Sequence, residues 1–433
     1  MSMGEDYYRE LKAKIEKLRN EDSLEHKFHE FWKLGCTAKY KAFELKFLYE
    51  NSSREFVEKY KEQLIKIREE CIEDLEKNVE KCMKVMKKAN NMRVYYAKTN
   101  EDAHRYFMEE LGGTRVLFKS KSNEAKDIGL IEFLEEEGIE LIETDMGDII
   151  LELMEYDHPT YQLGPGAHFK EEEIVQKIKE KHGVELEPNA QAIVDYYREN
   201  FRKELLNKVK ISLTSANAIS ADDGTIFLGE NEGNISLLTR AVDTHIVVCG
   251  ITKIVPTIID ALIITKIQER INNVSFRYIS LISGPSNTSD IQGKQVQGMY
   301  GAKEVVVIFV DDWRIRAKEE DMPYKDFLKC ISCKSCIYLC TAFRAFGNLY
   351  ASKYGIGGPM IIRDYIHNGI EAAVKDGLFL CSGCENCTNW CPAGIDLAQI
   401  IRMLKKEATD NNLCPLTLKE YQEKIINEKN PFL

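Results

Sequence analysis

Long apolar runs are missing from this chain. No stretch reaches the length that crossing a bilayer requires, and the charged opening segment MSMGEDYYRELKAKIEKLRN lacks the apolar core of a secretory signal. Neither a membrane span nor export is therefore expected, and a cytoplasmic location is. An excess of positive charge is missing too: the formal net charge of -11 offers no basic surface for a general grip on nucleic acid or anionic lipid. No GxGxxG turn follows any predicted strand, so a dinucleotide bound in the usual way is not supported. Low-complexity tracts are absent, and no internal repeat appears apart from two cysteine runs.

Those runs are what the sequence has in abundance. Thirteen cysteines in a chain without a signal segment read as metal or catalytic thiols before they read as disulfides. Cys330, Cys333, Cys336 and Cys340 form one run, and Cys381, Cys384, Cys387 and Cys391 the other; both are CxxCxxCxxxC. The remaining five, Cys36, Cys71, Cys82, Cys249 and Cys414, stand singly, as expected of thiols packed as small hydrophobes. Three thiolates at this spacing can wrap three corners of a cuboidal cluster while the fourth serves the other cluster. That rule assigns Cys330, Cys333, Cys336 and Cys391 to one 4Fe-4S cluster and Cys381, Cys384, Cys387 and Cys340 to a second. Zinc is the rival metal, but structural zinc usually takes two ligands from each of two loops and would leave a thiol unused in each. Pro392 follows the second run, whereas Thr341 stands at the matching place in the first. Lys334 in the first loop and Glu385 in the second should pull the two reduction potentials apart.

A chain of 433 residues exceeds what one core usually serves. Residues 1–90 read as a helical arm. Tyr8, Leu11, Ile15 and Leu18 mark a first helix, and Val57, Tyr60, Leu64, Ile67, Cys71, Leu75, Val79, Cys82 and Val85 recur along one face of a long second one. Ser52 and Glu55 form a candidate capping box ahead of it. Residues 91–312 alternate strands with helices, which predicts a mostly parallel sheet covered on both faces. The strands expected are Val94–Ala97, Val116–Phe118, Glu140–Glu143, Ile246–Val248 and Val305–Val310, with two helices dividing near Pro188. From Ile211 to Leu238 the pattern reads as hairpins turning at Asp222–Gly224 and Asn231–Gly233. Residues 313–325 read as a linker, 326–410 as a mostly α-helical two-cluster ferredoxin domain, and 411–433 as a tail for docking a partner.

Within the α/β part, Lys121 and Ser122 fall between a strand and a helix, where a lysine and backbone amides can hold a carboxylate or phosphate. Ser122 reads equally as a plain helix cap. Gly224, Thr225, Asn231, Gly233 and Asn234 either line the same cleft or are hairpin turns. Ser286 and Thr288, in the segment SGPSNTSD, either bind an anion in a nest of amides or belong to an ordinary loop. His168 and His245 are read as structural histidines in preference to bases. No catalytic residue is identified.

The motifs KSKS (Lys119–Ser122), GIELIETDMGD (Gly138–Asp148), GTIFLGENEGN (Gly224–Asn234), THIVVCGITKIVPT (Thr244–Thr257), SGP (Ser283–Pro285), the two cysteine runs and GPMI (Gly358–Ile361) occur in a fixed order. By these the chain resembles the iron-sulfur subunit of the L-lactate utilisation complex, a LUD-domain protein, over about residues 60–410. The resemblance implies an α/β domain of the NagB/RpiA/CoA-transferase-like class. It also implies a subunit of a lactate-dehydrogenase-type oxidoreductase complex that takes L-lactate, or a related 2-hydroxy acid, to pyruvate. The partners implied are a cysteine-rich, heterodisulfide-reductase-like subunit and a further LUD-type subunit. The alternative is an electron-transfer adaptor for such a partner with no turnover of its own. A CoA-transferase-like or isomerase activity ranks last, for want of a carboxylate nucleophile.

Overall fold

The computed structural model describes residues 3–45, 53–161, 163–271 and 276–429. The described residues within 1–42, 157–168 and 334–433 gather into one compact unit, and those within 43–156 and 169–333 into another. No helix among the described residues is long and apolar enough to cross a membrane.

The α/β unit is built on strands β1 (Arg93–Ala97), β2 (Val116–Lys119), β3 (Glu140–Glu143), β4 (Ile211–Thr214), β5 (Ala218–Ser220), β6 (Ile226–Glu230), β7 (Thr244–Gly250), β8 (Ile254–Val255), β9 (Tyr278–Ile282), β10 (Asn287–Ile291), β11 (Lys294–Gln297) and β12 (Glu304–Val310). Six of these form one parallel sheet in the order β1-β12-β7-β4-β2-β3. Along β12, Val305, Val307 and Phe309 enter one apolar cluster, while Val306, Ile308 and Val310 enter the other. Burial of both faces is why β12 is a continuous run of mostly β-branched residues and does not alternate with polar ones. β4 belongs to this sheet, so the segment from Ile211 is not a hairpin at its start. The DDG turn does join antiparallel β5 and β6. The Asn231–Gly233 segment instead leads from β6 into the short helix Asn234–Leu238, a correction to the hairpin reading.

The expected long helix is broken at Asp74 into Ser53–Glu73 and Leu75–Lys88. Its apolar stripe holds across the break, with Leu64, Ile67, Cys71, Leu75, Val79 and Cys82 all buried. Ser52, half of the candidate capping box, lies outside the described residues. Residues 1–90 are not one arm. The helix Leu24–Leu45 belongs up to Ala42 to the cysteine-bearing unit, where His29 Nε2 lies 2.6 Å from the Arg344 carbonyl. There Phe28 meets Phe343 edge-on at 6.4 Å, and Tyr40 meets Trp390 at 5.2 Å.

Nor are residues 313–325 a linker. Trp313, Ala317 and Tyr324 are buried, and Arg314 donates through Nη2 to both carboxylate oxygens of Glu124 at 2.8 Å, both side chains buried. Gly250 ends β7 against this pair: a Cβ there would sit 2.5 Å from the guanidinium and 2.8 Å from the carboxylate.

In the cysteine-bearing unit the segment between the runs is helical, as expected, over Thr341–Phe346 and Gly358–Lys375, with a two-residue hairpin between them. Gly358 is required there, because a Cβ would approach Ile401 to 2.8 Å and the Tyr350 hydroxyl to 3.0 Å.

Candidate metal centre

The two cysteine runs fold alike. A short 3-10 helix precedes each, Lys325–Lys329 before the first and Leu378–Leu380 before the second. Two left-handed residues then turn each loop: Ser332 and Lys334 at φ 60° and 65°, Gly383 and Glu385 at φ 68° and 62°. A one-turn helix carries the third cysteine of each run, Ser335–Tyr338 and Asn386–Asn389. The turns aim backbone amides at sulfur. The Ser332 N–H donates to Cys330 Sγ at 3.3 Å, and the Gly383 N–H to Cys381 Sγ at 3.5 Å. Left-handed backbone costs a side-chain-bearing residue about 1–2 kcal/mol, so the conformation has to be held by its surroundings.

Cys340, Cys381, Cys384 and Cys387 line one cavity, partly open to solvent, together with Cys336. Its apolar wall comes from Ala342, Tyr350, Pro359, Ala398 and Ile401. The Phe343 N–H donates to Cys340 Sγ at 3.4 Å, and Lys405 Nζ donates to the Cys381 carbonyl at 2.6 Å. Burial pushes the Cys340 thiol up to about 12 and the Cys387 thiol up to about 11, each raised further by neighbouring cysteines. Burial also raises Cys384, yet the Asn386 amide and the Thr341 and Ser382 hydroxyls outweigh it and leave that thiol below its ordinary value. Four thiolates therefore crowd this space only if a cationic core neutralises them, and binding such a core must release protons. Among the described residues no group of three His, Cys, Asp or Glu is arranged to hold a single metal ion. Five cysteines around a void with an apolar wall fit a polynuclear iron-sulfur group held by four of them.

Cys330 and Cys333 close the α/β unit, and that unit grips the chain around them. Arg68 donates to the Leu328 carbonyl at 2.8 Å and the Lys329 carbonyl at 3.1 Å, and Gln268 Nε2 donates to the Ile331 carbonyl at 2.5 Å. Neither residue was singled out from the sequence. A signal existed: Arg68 lies four residues after Leu64 and three before Cys71, on an apolar face, and Gln268 stands likewise between Ile264 and Ile271. Arg402 pairs with Glu385 at 2.6 Å, an opposite charge that counters the bias its carboxylate would give the second loop.

The α/β candidates fall into separate groups, with Lys121 and the Asn231–Asn234 loop near the loop after β3 and the others elsewhere. Lys121 Nζ is 3.4 Å from Asp148, and Ser122 caps the five-residue helix Asn123–Asp127 by accepting from the Ala125 amide. Asn234 donates to Thr144 Oγ1 at 3.3 Å, and Glu232 accepts from the Met146 amide at 3.1 Å, so the loop holding Asn231 and Gly233 meets the loop after β3. Lys119 pairs with buried Glu143 beside them. Burial pushes Glu152 and Glu232 up to about 7, and the neighbouring acids Glu143, Asp145 and Asp148 contribute. This acidic setting is a poor seat for a carboxylate substrate. Gly224 and Thr225 lie at the opposite end of β6, packed on Asn90 and bonded to Ser283 at 2.8 Å, so they share no cleft with Lys121. Ser286 and Thr288 belong to the β10–β11 hairpin, where Thr288 donates to Asp290 at 3.1 Å. His245 is wholly buried 2.7 Å from Thr214, and burial lowers its imidazole to about 3. His168 packs edge-on against Phe28 at 5.4 Å.

The 4Fe-4S dicluster domain model matches residues 326–395, and the LUD domain model matches residues 79–310. Uncharacterized electron transport protein YkgF of Escherichia coli (strain K12) is 30% identical over 72% of this chain and 64% of that protein. Lactate utilization protein B of Shouchella clausii (strain KSM-K16) is 29% identical, and its namesake in Bacillus subtilis (strain 168) 28%, each over 71% of this chain and 63% of the relative. The chain thus spans a little under two thirds of the length of the curated relatives it matches. The crystal structure of a DUF162 family protein from Deinococcus radiodurans aligns at 13% identity and a TM-score of 0.29, covering 56% of this chain and 98% of that one, too slight a likeness to argue from. With over half of its 433 residues matched by the LUD model and the cysteine runs matched by the dicluster model, the chain belongs to the LUD-domain family and carries a 4Fe-4S dicluster domain.

Proposed function

We propose that this chain is an iron-sulfur electron-transfer subunit holding two 4Fe-4S clusters, acting in a complex that oxidises L-lactate or a related 2-hydroxy acid to pyruvate. The observation that supports the cluster reading is the cavity lined by Cys340, Cys381, Cys384 and Cys387 together with Cys336, where cysteines of both runs meet. Crossed ligation then leaves Cys330, Cys333, Cys336 and Cys391 for the first cluster. Bound, the clusters supply one-electron carriage. The chain's own contribution is to aim amides at the sulfurs, exclude water with an apolar wall and balance charge with lysine and arginine. The relatives' names, lactate utilization protein and electron transport protein, support the substrate and the role. The complex includes a cysteine-rich, heterodisulfide-reductase-like subunit and a further LUD-type subunit, works in the cytoplasm, and uses the α/β unit in a NagB/RpiA/CoA-transferase-like fold.

One observation favours a second reading, the adaptor without turnover: Lys121 and its neighbours are already engaged by internal acids. Adding L-lactate to the anaerobic assembled complex separates the two. The leading reading expects lactate-dependent bleaching of cluster absorbance. Bleaching by a reduced partner protein alone, with no response to any 2-hydroxy acid, would establish the adaptor.

A further inference from the structure

Arg68 is the largest fully buried side chain among the described residues, at 2% exposure. Its guanidinium donates to three backbone carbonyls, Leu328 and Thr252 at 2.8 Å and Lys329 at 3.1 Å. No carboxylate lies within ion-pairing distance of it among the described residues. Carbonyl dipoles satisfy its hydrogen bonds but leave a full positive charge in the interior, which is costly unless an anion stands near. The contrast with Arg314 is direct: that buried guanidinium is neutralised by Glu124 at 2.8 Å.

Two of the three carbonyls lead straight into Cys330, and the third precedes Lys253. Lys253 makes no hydrogen bond or ion pair among the described residues. Burial lowers its ammonium, and the sulfurs of Cys249 and Cys330 are the groups acting most strongly against that. Two basic side chains are thus built into the α/β unit behind the first thiol of the first run, and among the described residues no carboxylate pairs with Arg68. A cuboidal cluster on four thiolates is an anion in both redox states and gains a further negative charge on reduction.

Resting on the cluster reading above, we propose that Arg68, with Lys253 in support, is a positioning residue that supplies the counter-charge for the cluster held through Cys330. It thereby raises that cluster's reduction potential. A positive charge buried near the cluster stabilises the reduced form more than the oxidised one, and low local polarity lets the effect persist at high salt.

The test uses the full chain, purified anaerobically with its clusters in place, and follows both midpoints by spectroscopic redox titration. Arg68→Gln is expected to move the reduction equilibrium of one cluster at least tenfold toward the oxidised form, which is 59 mV for a one-electron couple. The midpoint that moves should be the one lost in Cys330→Ser, and Arg68→Lys should restore most of the shift. If Arg68→Gln fails to retain iron, Lys253→Gln carries the test, since it removes charge while leaving all three Arg68 hydrogen bonds; a smaller shift of the same midpoint is expected. Iron-replete variants with both midpoints unmoved, or an Arg68→Lys variant that shifts as far as Arg68→Gln, overturn the proposal alone. An iron-free wild-type chain overturns the cluster reading with it.

Discussion

The two cysteine runs share spacing, left-handed turns and N–H to sulfur bonds, yet they sit in different surroundings. The first opens on the α/β unit, where Arg68 and Gln268 hold three consecutive or near-consecutive carbonyls around Cys330. The second lies wholly in the helical unit, with Cys384 exposed and Glu385 paired to Arg402 at 2.6 Å. Spacing therefore dictates how a loop turns, while residues far away in sequence dictate how much charge that loop can carry.

The sharpest way to break this comparison is to cross the runs. Cys340→Ser and Cys381→Ser should each cost about half the iron and abolish the same spectroscopic signal, whereas Cys391→Ser should abolish the other. Loss of the same signal in Cys340→Ser and Cys330→Ser would show that each run serves its own cluster.

Next in size is the support behind the first run. Arg314→Ala strands the Glu124 carboxylate in the α/β interior and should cost about 3–5 kcal/mol in denaturant unfolding. Gly250→Ala, which drives a Cβ into the same pair, should cost about 1–3 kcal/mol.

The α/β unit also responds to acid. His245 falls to about 3 in the fold from an ordinary 6.5, so the unfolded chain binds its proton first as pH drops. This contribution is complete above pH 6.5 and is lost toward pH 3, by up to about 1.4 kcal/mol per pH unit. A His245→Leu, Thr214→Val double variant should flatten that slope.

Smaller still are the turns. Gly383→Ala meets no atom within 4 Å but must adopt φ 68°, so it should destabilise its loop by about 1 kcal/mol. Ser332→Gly should gain a similar amount in the first run. Arg402→Ala, at an exposed pair, should change stability by less than about 1 kcal/mol.

Much of this was legible in the chain itself. Strands buried on both faces announce themselves as continuous β-branched runs, which is why β12 falls where the pattern put it, one residue longer at its start. The cysteine spacing is legible because one loop supplies three ligands. What pattern could not reach were contacts between distant segments: the helix Leu24–Leu45 joining the cysteine unit, Asp157–His168 leaving the α/β unit for it, and Arg402 neutralising Glu385. Residues 313–325 misled because their polarity hides a buried Arg314, whose partner Glu124 lies far upstream in the chain. The candidate ligand residues misled for a related reason. Glycine, asparagine and serine at strand ends serve turns and caps as well as ligands, and only the partners tell which.

The most direct test of the central claim is the iron and acid-labile sulfide content of the anaerobically purified full chain, measured with its visible and paramagnetic spectra. Two clusters predict a brown protein with about eight iron and eight sulfide per chain, reducible in two one-electron steps. A colourless chain that binds zinc in stoichiometric amount and no sulfide would contradict the account.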